Sequence, residues 1–260
     1  MARLNLPPLA PADYRISVVL PVFAETDSVR EVANWLREKL GARMLETIIV
    51  LSPKSGPASR AVCDELCAAD PRFRIHVQQV NPGLGNAVKE GYALTRGNLV
   101  LNMDSDGEME NETVSRMLEA MEAHGYEMVV ASRWMKGGGF SGYDRKKYLL
   151  NWGFQQLFRI LYLTRVNDLT YGFKLMRGEL ARGIAWEGTL HEIACETTMK
   201  PIKLGAKVGA VPSKWTARVQ GQSKNTFWRT FRYVGMALKI WARGATLESA
   251  PAANAAPRQP

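Results

Sequence analysis

The chain has 260 residues with 46% apolar content, a globular composition long enough for a full core, which excludes a disordered or collagenous chain. Its three cysteines, Cys63, Cys67 and Cys195, lack CxxC spacing, which argues against a disulfide framework or a zinc ribbon and for a reducing cytosol. The net charge of +9 is concentrated: Thr197 to Leu247 holds ten basic residues and no acidic one, while the other 24 basic residues face 25 acidic ones, so an anionic partner is expected at the C-terminal end.

In chain order, Val- and Ile-rich runs recur at 16–23, 46–52, 74–80, 98–104 and 127–133 and read as strands. Between them, Val29, Val32, Ala33, Leu36 and Leu40, then Val62, Leu66 and Ala69, then a segment 87–95, then Val114, Met117, Leu118 and Met121 carry helical spacing. Alternating strand and helix predict an α/β fold with a mainly parallel sheet. Ligands of such sheets sit beyond the carboxyl ends of the strands, which directs attention to PVFAE, SPKSG, NPGLGN, DSDGE and SRWMKGGG. KVGAVP, from Lys207, is also strand-like, Gly137 to Gly142 suggests a mobile loop, and the last residues read as a disordered tail.

The sharpest motif is Asp104-Ser105-Asp106-Gly107-Glu108 after the run Leu99 to Met103. An extended chain would put its three carboxylates on one side, a set of hard oxygens suited to magnesium or manganese completed by substrate phosphate; a solvated acidic turn is the alternative. Asn81-Pro82-Gly83-Leu84-Gly85-Asn86-Ala87 imitates a dinucleotide-binding loop but has Val88 where the third glycine belongs, so it is read as a tight turn opening a helix. In ARVQGQSKNTF, Arg218, Gly221, Ser223 and Lys224 suit a loop folding over phosphates, against a plain basic loop.

In order along Ile16 to Phe227, the chain carries Pro21-Val22-Phe23 with Glu25, Gly83-Leu84-Gly85 with Ala87, Asp104 and Asp106, Ser132-Arg133, Asp168-Leu169-Thr170 with Gly172-Phe173, Glu196, and Arg218 through Ser223-Lys224. This ordered set resembles family 2 glycosyltransferases of the GT-A fold, and among them the dolichyl- and polyprenyl-phosphate mannose synthases. The resemblance implies that Pro21, Val22, Phe23, Glu25, Ser52 and Ser105 border the nucleotide and that Asp104, Asp106 and Glu108 hold a divalent cation, Glu108 standing where these synthases usually have Gln. It further implies that Arg133, Lys147 and Arg218, with Ser223 and Lys224, contact phosphates of donor or acceptor, and that Asp104, Asp106, Arg133 and Arg218 carry the catalysis. One departure matters. The family's D-D-x-S after the second strand is replaced by Ser52-Pro53-Lys54-Ser55, so the donor is left as a nucleotide diphosphate sugar of GDP or UDP type.

The reaction so implied moves a hexose, mannose in the synthases resembled, to a polyprenyl phosphate with inversion. A phosphate monoester is largely ionised at neutral pH, its second pKa being about 6, so no strong base is demanded and His76, His124 and His191 need no catalytic role. A saccharide or glycolipid acceptor would demand a base. The boundaries expected are a flexible N-terminus over 1–13, a catalytic domain over 14–225, a basic amphipathic helix over 226–244 and a tail over 245–260. In that helix Phe227, Phe231, Val234, Leu238 and Trp241 form one stripe, opposite Arg229, Arg232, Lys239 and Arg243; it can lie in an anionic membrane surface, aided by Tyr148 to Tyr162, or dock on the domain itself. The opening residues lack a signal-peptide run, and Tyr148 to Leu163 is broken by Asn151, Gln155, Gln156 and Arg159, so a cytoplasmic protein peripheral to the membrane, with no spanning helix, is expected. Two other classes compete: a nucleic-acid-binding module, which leaves the carboxylates unexplained and is not adopted, and a non-catalytic membrane scaffold, suggested by the missing acidic pair.

Overall fold

A computed structural model of the chain describes residues 6–81, 83–217 and 227–247. The first half alternates β1 (Ile16–Val22), α1 (Asp27–Leu40), β2 (Met44–Leu51), α2 (Pro57–Ala69), β3 (Phe73–Val77), α3 (Leu84–Leu94), β4 (Leu99–Asn102), α4 (Thr113–His124) and β5 (Met128–Ser132). These are the five strands and four helices that the apolar periodicity predicts. The second half adds β6 (Gly139–Ser141), α5 (Arg145–Leu161), β7 (Lys174–Arg177), α6 (Gly178–Gly183), α7 (Ile193–Lys203), β8 (Val208–Pro212), β9 (Lys214–Thr216) and α8 (Phe227–Arg243).

Seven strands form one sheet in the order β3-β2-β1-β4-β7-β5-β8, and β6 pairs with β9 beside it. All neighbours in the large sheet run parallel except β7, which is antiparallel to both β4 and β5. Period-two alternation divides the core. Ile16, Val18, Leu20, Leu99 and Leu101 face a layer with α1, α2 and α4, whereas Val19 and Val100 face one with α3, α5, α6, α7 and α8. Strands buried on both faces are continuous apolar runs, which is why they are legible. β7 is the exception. Its Lys174 is fully buried, pulled by burial to about 7, and its Nζ donates to the Ala194 carbonyl at 2.5 Å and to Thr197 Oγ1.

Part of the segment expected to be flexible is anchored. Leu6 and Leu9 pack against the core, and Arg177 Nη1 donates to the Pro7 carbonyl at 2.8 Å. Among the described residues no helix is long and apolar enough to cross a membrane.

Candidate active site

The carboxyl ends of β1, β2, β4 and β5 open on one edge of the sheet, where strand order reverses about β1. At this edge β4 stops at Asn102, and the chain turns through Gly107 at φ +75°. The extended alternation expected for the three carboxylates therefore does not hold. Ser105 is buried and its Oγ donates to the Pro21 carbonyl at 2.7 Å, tying the acidic loop to the end of β1. Asp106 Oδ1 accepts from the backbone N–H of Glu108 at 3.0 Å, an Asx turn. Glu108 turns to β9, its Oε2 accepting from Trp215 Nε1 at 2.9 Å and its carbonyl from Thr216 N–H at 3.0 Å.

Among the described residues no three His, Cys, Asp or Glu side chains are gathered to hold a metal ion. The trio Asp104, Asp106 and Glu108 is thus not assembled, because the indole of Trp215 holds Glu108. Asp104 and Asp106 remain, both half-buried at the sheet edge. Two hard carboxylates fit a magnesium or manganese ion that takes its other ligands from substrate oxygens and water, rather than one caged by protein alone.

Around them, Glu25 Oε2 accepts from the N–H groups of Phe23 and Ala24 at 2.7 and 3.0 Å, which rigidifies the turn after β1 and leaves the Phe23 ring 56% exposed. Ser52, at the end of β2, is nearly buried, and its Oγ accepts from Lys54 N–H and Asn81 Nδ2 at 3.2 and 3.3 Å. Pro21, Val22, Phe23, Glu25, Ser52 and Ser105 are thus brought to adjacent strand ends. Gly83 and Gly85 follow β3, Gly83 as the N-cap of α3 with its carbonyl accepting from Gln78 Nε2 at 2.9 Å. A Cβ on Gly85 would stand 2.5 Å from the Gly188 carbonyl oxygen, and one on Gly83, at φ +130°, would collide with that of Thr189. Close approach of the 188–190 backbone explains these glycines, in agreement with the turn reading.

Arg133 follows β5. Its Nε and Nη2 donate to the two carboxylate oxygens of fully buried Asp168 at 2.8 and 3.0 Å, and Nη2 reaches Thr170 Oγ1 at 3.2 Å. Its guanidinium lies 4.4 Å from the Tyr171 ring centroid and 5.0 Å from that of Phe140. Burial opposes the charge, and Asp168 outweighs it, holding Arg133 protonated. Beside it lies a cavity of about 590 Å³ lined by Arg133, Trp134, Phe140, Tyr143, Arg145 and Tyr148. Tyr143 stacks edge-on against Trp215 at 5.3 Å, so one aromatic step separates this cavity from Glu108. Half-buried Lys147 is in the first turn of α5, whose N-cap Asp144 accepts from the Lys147 backbone N–H. Arg218, Ser223 and Lys224 lie outside the described residues. Asp168, Tyr171 and Trp215 emerge only from the structure as parts of the site's frame. Of the three, only Asp168 had a signal, its place in the ordered motifs.

α8 docks on the domain with Ala237 and Ile240 buried. Arg232 Nη2 meets Glu192 at 2.8 Å and Lys239 meets Glu187 at 3.0 Å. Of the expected stripe, Phe231, Leu238 and Trp241 are exposed, whereas Val234 packs against the core and the side chain of Phe227 lies outside the described residues. α5 presents a second row, Leu149, Trp152, Leu157 and Ile160, followed by Leu163, which is 92% exposed at φ +50°. Trp241 Nε1 donates to the Leu161 carbonyl and Tyr162 Oη to that of Ala237, holding α8 alongside α5.

Residues 17–184 match the model of glycosyl transferase family 2. The chain belongs to this family. It is a glycosyltransferase. It is 25% identical over 216 residues to the undecaprenyl-phosphate mannosyltransferase of Micrococcus luteus, covering 81% of this chain and 87% of that one. It is also 29% identical over 218 residues to the polyprenol monophosphomannose synthase of Mycolicibacterium smegmatis, covering 81% and 80%. Its fold matches glucosyl-3-phosphoglycerate synthase of Mycobacterium tuberculosis, solved with Mg2+ and uridine diphosphate, at a TM-score of 0.68 and 16% identity over 93% of this chain and 86% of that one. The fold is GT-A: a mostly parallel central sheet flanked by helices.

Proposed function

We propose that this glycosyltransferase moves a hexose, mannose by its relatives, from a nucleotide diphosphate sugar to a polyprenyl phosphate at a membrane surface, with inversion and with a divalent cation. The observation that carries the reading is the adjacency of a carboxylate pair suited to a cation, Asp104 and Asp106 at the end of β4, to the Arg133 cavity one aromatic contact beyond Trp215. Relatives named for polyprenol and undecaprenyl phosphate support the acceptor class.

In this reading the strand ends at Pro21 to Glu25, Ser52 and Ser105 frame the nucleotide, and Asp104 and Asp106 hold the cation. That ion, magnesium or manganese, would neutralise the departing diphosphate. Arg133 and Arg145, which line the aromatic cavity, and Lys147 in the first turn of α5 receive the acceptor phosphate, and Arg218, Ser223 and Lys224, outside the described residues, supply further phosphate contacts. One phosphate oxygen attacks the anomeric carbon as the bond to the nucleoside diphosphate breaks. The ionised monoester needs no base, so the protein's task is to bring two anions together and to stabilise the charge that leaves. The outward apolar rows of α5 and α8, flanked by exposed Arg145, Lys146, Arg165 and Arg243, suit an anionic bilayer carrying that acceptor. Docking of α8 and membrane contact are compatible, since different faces of the helix serve each.

Calorimetric titration with GDP and with UDP, each with and without manganese, tests the donor half. Manganese-dependent binding of one nucleotide is expected; binding of neither would leave the scaffold reading standing.

A further inference from the structure

Asp168 is 0% exposed and belongs to the loop before β7, while Arg133, its partner, directly follows β5. The pair has a second layer of support from α5. Gln155, also 0% exposed, accepts from Leu169 N–H at 2.7 Å through Oε1. Its Nε2 donates to Thr170 Oγ1 at 2.9 Å and to Asn151 Oδ1, one turn earlier in α5, at 2.8 Å. Thr170 Oγ1 is therefore the shared acceptor of Arg133 and Gln155. With Nε and Nη2 so engaged, Nη1 is the guanidinium nitrogen left without a hydrogen bond among the described residues, and Arg133 lines the cavity.

We propose that Asp168, Thr170 and Gln155 are positioning residues: they lock Arg133 so that one N–H group is held ready for the acceptor's phosphate monoester, and they fix that group relative to α5, the helix with the outward apolar row. The inference rests on the prenyl-phosphate reading of the site. A free arginine would have to be ordered at the moment of binding, whereas one clamped by a buried carboxylate and between two rings is already ordered. The carboxylate also cancels the formal charge of the guanidinium, so recognition depends on direction more than on net charge. Because Asn151 and Gln155 stand on α5, a prenyl chain lying against that helix and a phosphate on Arg133 are referred to one rigid frame.

The test compares wild type, Thr170→Val and Gln155→Leu by calorimetry with farnesyl phosphate as probe, and separately with GDP or UDP plus manganese. Thr170→Val exchanges a hydroxyl for a methyl at equal size, so it serves if Gln155→Leu fails to fold by circular dichroism. Farnesyl phosphate binding is expected to weaken about tenfold in either folded variant, with nucleotide binding within about twofold of wild type. In turnover the same loss should fall on the KM for acceptor and not on kcat. Unchanged farnesyl phosphate binding in a folded variant overturns the positioning role while the acceptor assignment stands. Equal weakening of both ligands overturns it in favour of a merely structural role. A wild type that binds nucleotide but no farnesyl phosphate removes the acceptor assignment itself, and the positioning role with it.

Discussion

Trp215 and Glu108 stand 107 positions apart and are joined by a 2.9 Å hydrogen bond from the indole Nε1 to the carboxylate. The bond fastens the acidic loop after β4 to the short strand β9, and the Met109–Trp215 bridge reinforces it. It places Glu108 in the frame of the site. Trp215→Phe keeps the ring against Tyr143 and deletes the donor. It is expected to cost about 1 kcal/mol in denaturant unfolding and to lower kcat about tenfold as the loop loosens; wild-type values for both would remove the anchoring role.

Asp106→Ala is expected to abolish transfer, by at least about a hundredfold, with no change in the thermal unfolding midpoint beyond a few degrees. Asp106 is only half-buried, and its Oδ1 accepts locally from Glu108 N–H. Turnover near wild type would sink the cation assignment.

Gly85→Ala should destabilise the fold by ~2 kcal/mol, because the added methyl meets the Gly188 carbonyl oxygen at 2.5 Å and backbone must shift. Unfolding by urea measures it. A variant as stable as wild type would return this turn to the list of candidate phosphate loops.

Glu192 supplies a pH dependence. Burial raises its pKa, but the Arg232 side chain and the N–H groups of Leu190 and Thr189 prevail and hold it at about 2, below the ordinary 4.5. A folded-state value below the unfolded one gives stability that is full above about pH 4.5 and lost as pH falls toward about 2. Acid should therefore loosen the α8 attachment in that window. Stability of wild type against Glu192→Gln, followed from pH 6 to about pH 2, should converge at the acid end, and curves parallel throughout would contradict the assignment.

Leu157→Asn with Ile160→Asn changes two exposed residues of α5 and should leave folding intact. Flotation with vesicles containing anionic lipid is expected to show weaker binding, whereas nucleotide binding stays as in wild type. Equal flotation would exclude this row as the bilayer contact.

The first half of the fold is legible because β1, β2, β4 and β5 are almost wholly buried apolar runs and its helices alternate with the strands, so Ile16–Val22 and Asp27–Leu40 announce themselves by period alone. β7 is not, since its four residues include Lys174 and Arg177 and its place between β4 and β5 is a long-range choice. At the site, the acidic motif and Arg133 are visible as residue types in order. Their partners are not, because Trp215 reaching Glu108, and Asp168 reaching Arg133, depend on closure between distant segments. The orientation of α8 shows the same limit: Phe231, Leu238 and Trp241 of its stripe are exposed, but Val234 packs against the core and Arg232 and Lys239 meet Glu192 and Glu187 of the domain, which no helical period reveals.

The most direct measurement is transfer of labelled sugar from GDP-mannose, and separately from UDP-glucose, to polyprenyl phosphate in vesicles with manganese, comparing wild type with Asp106→Ala. Label in the organic-extractable lipid from one donor, absent with the variant, is the expected result. A folded, nucleotide-binding wild type that labels no lipid from either donor, or a variant that labels it as fast as wild type, would contradict it.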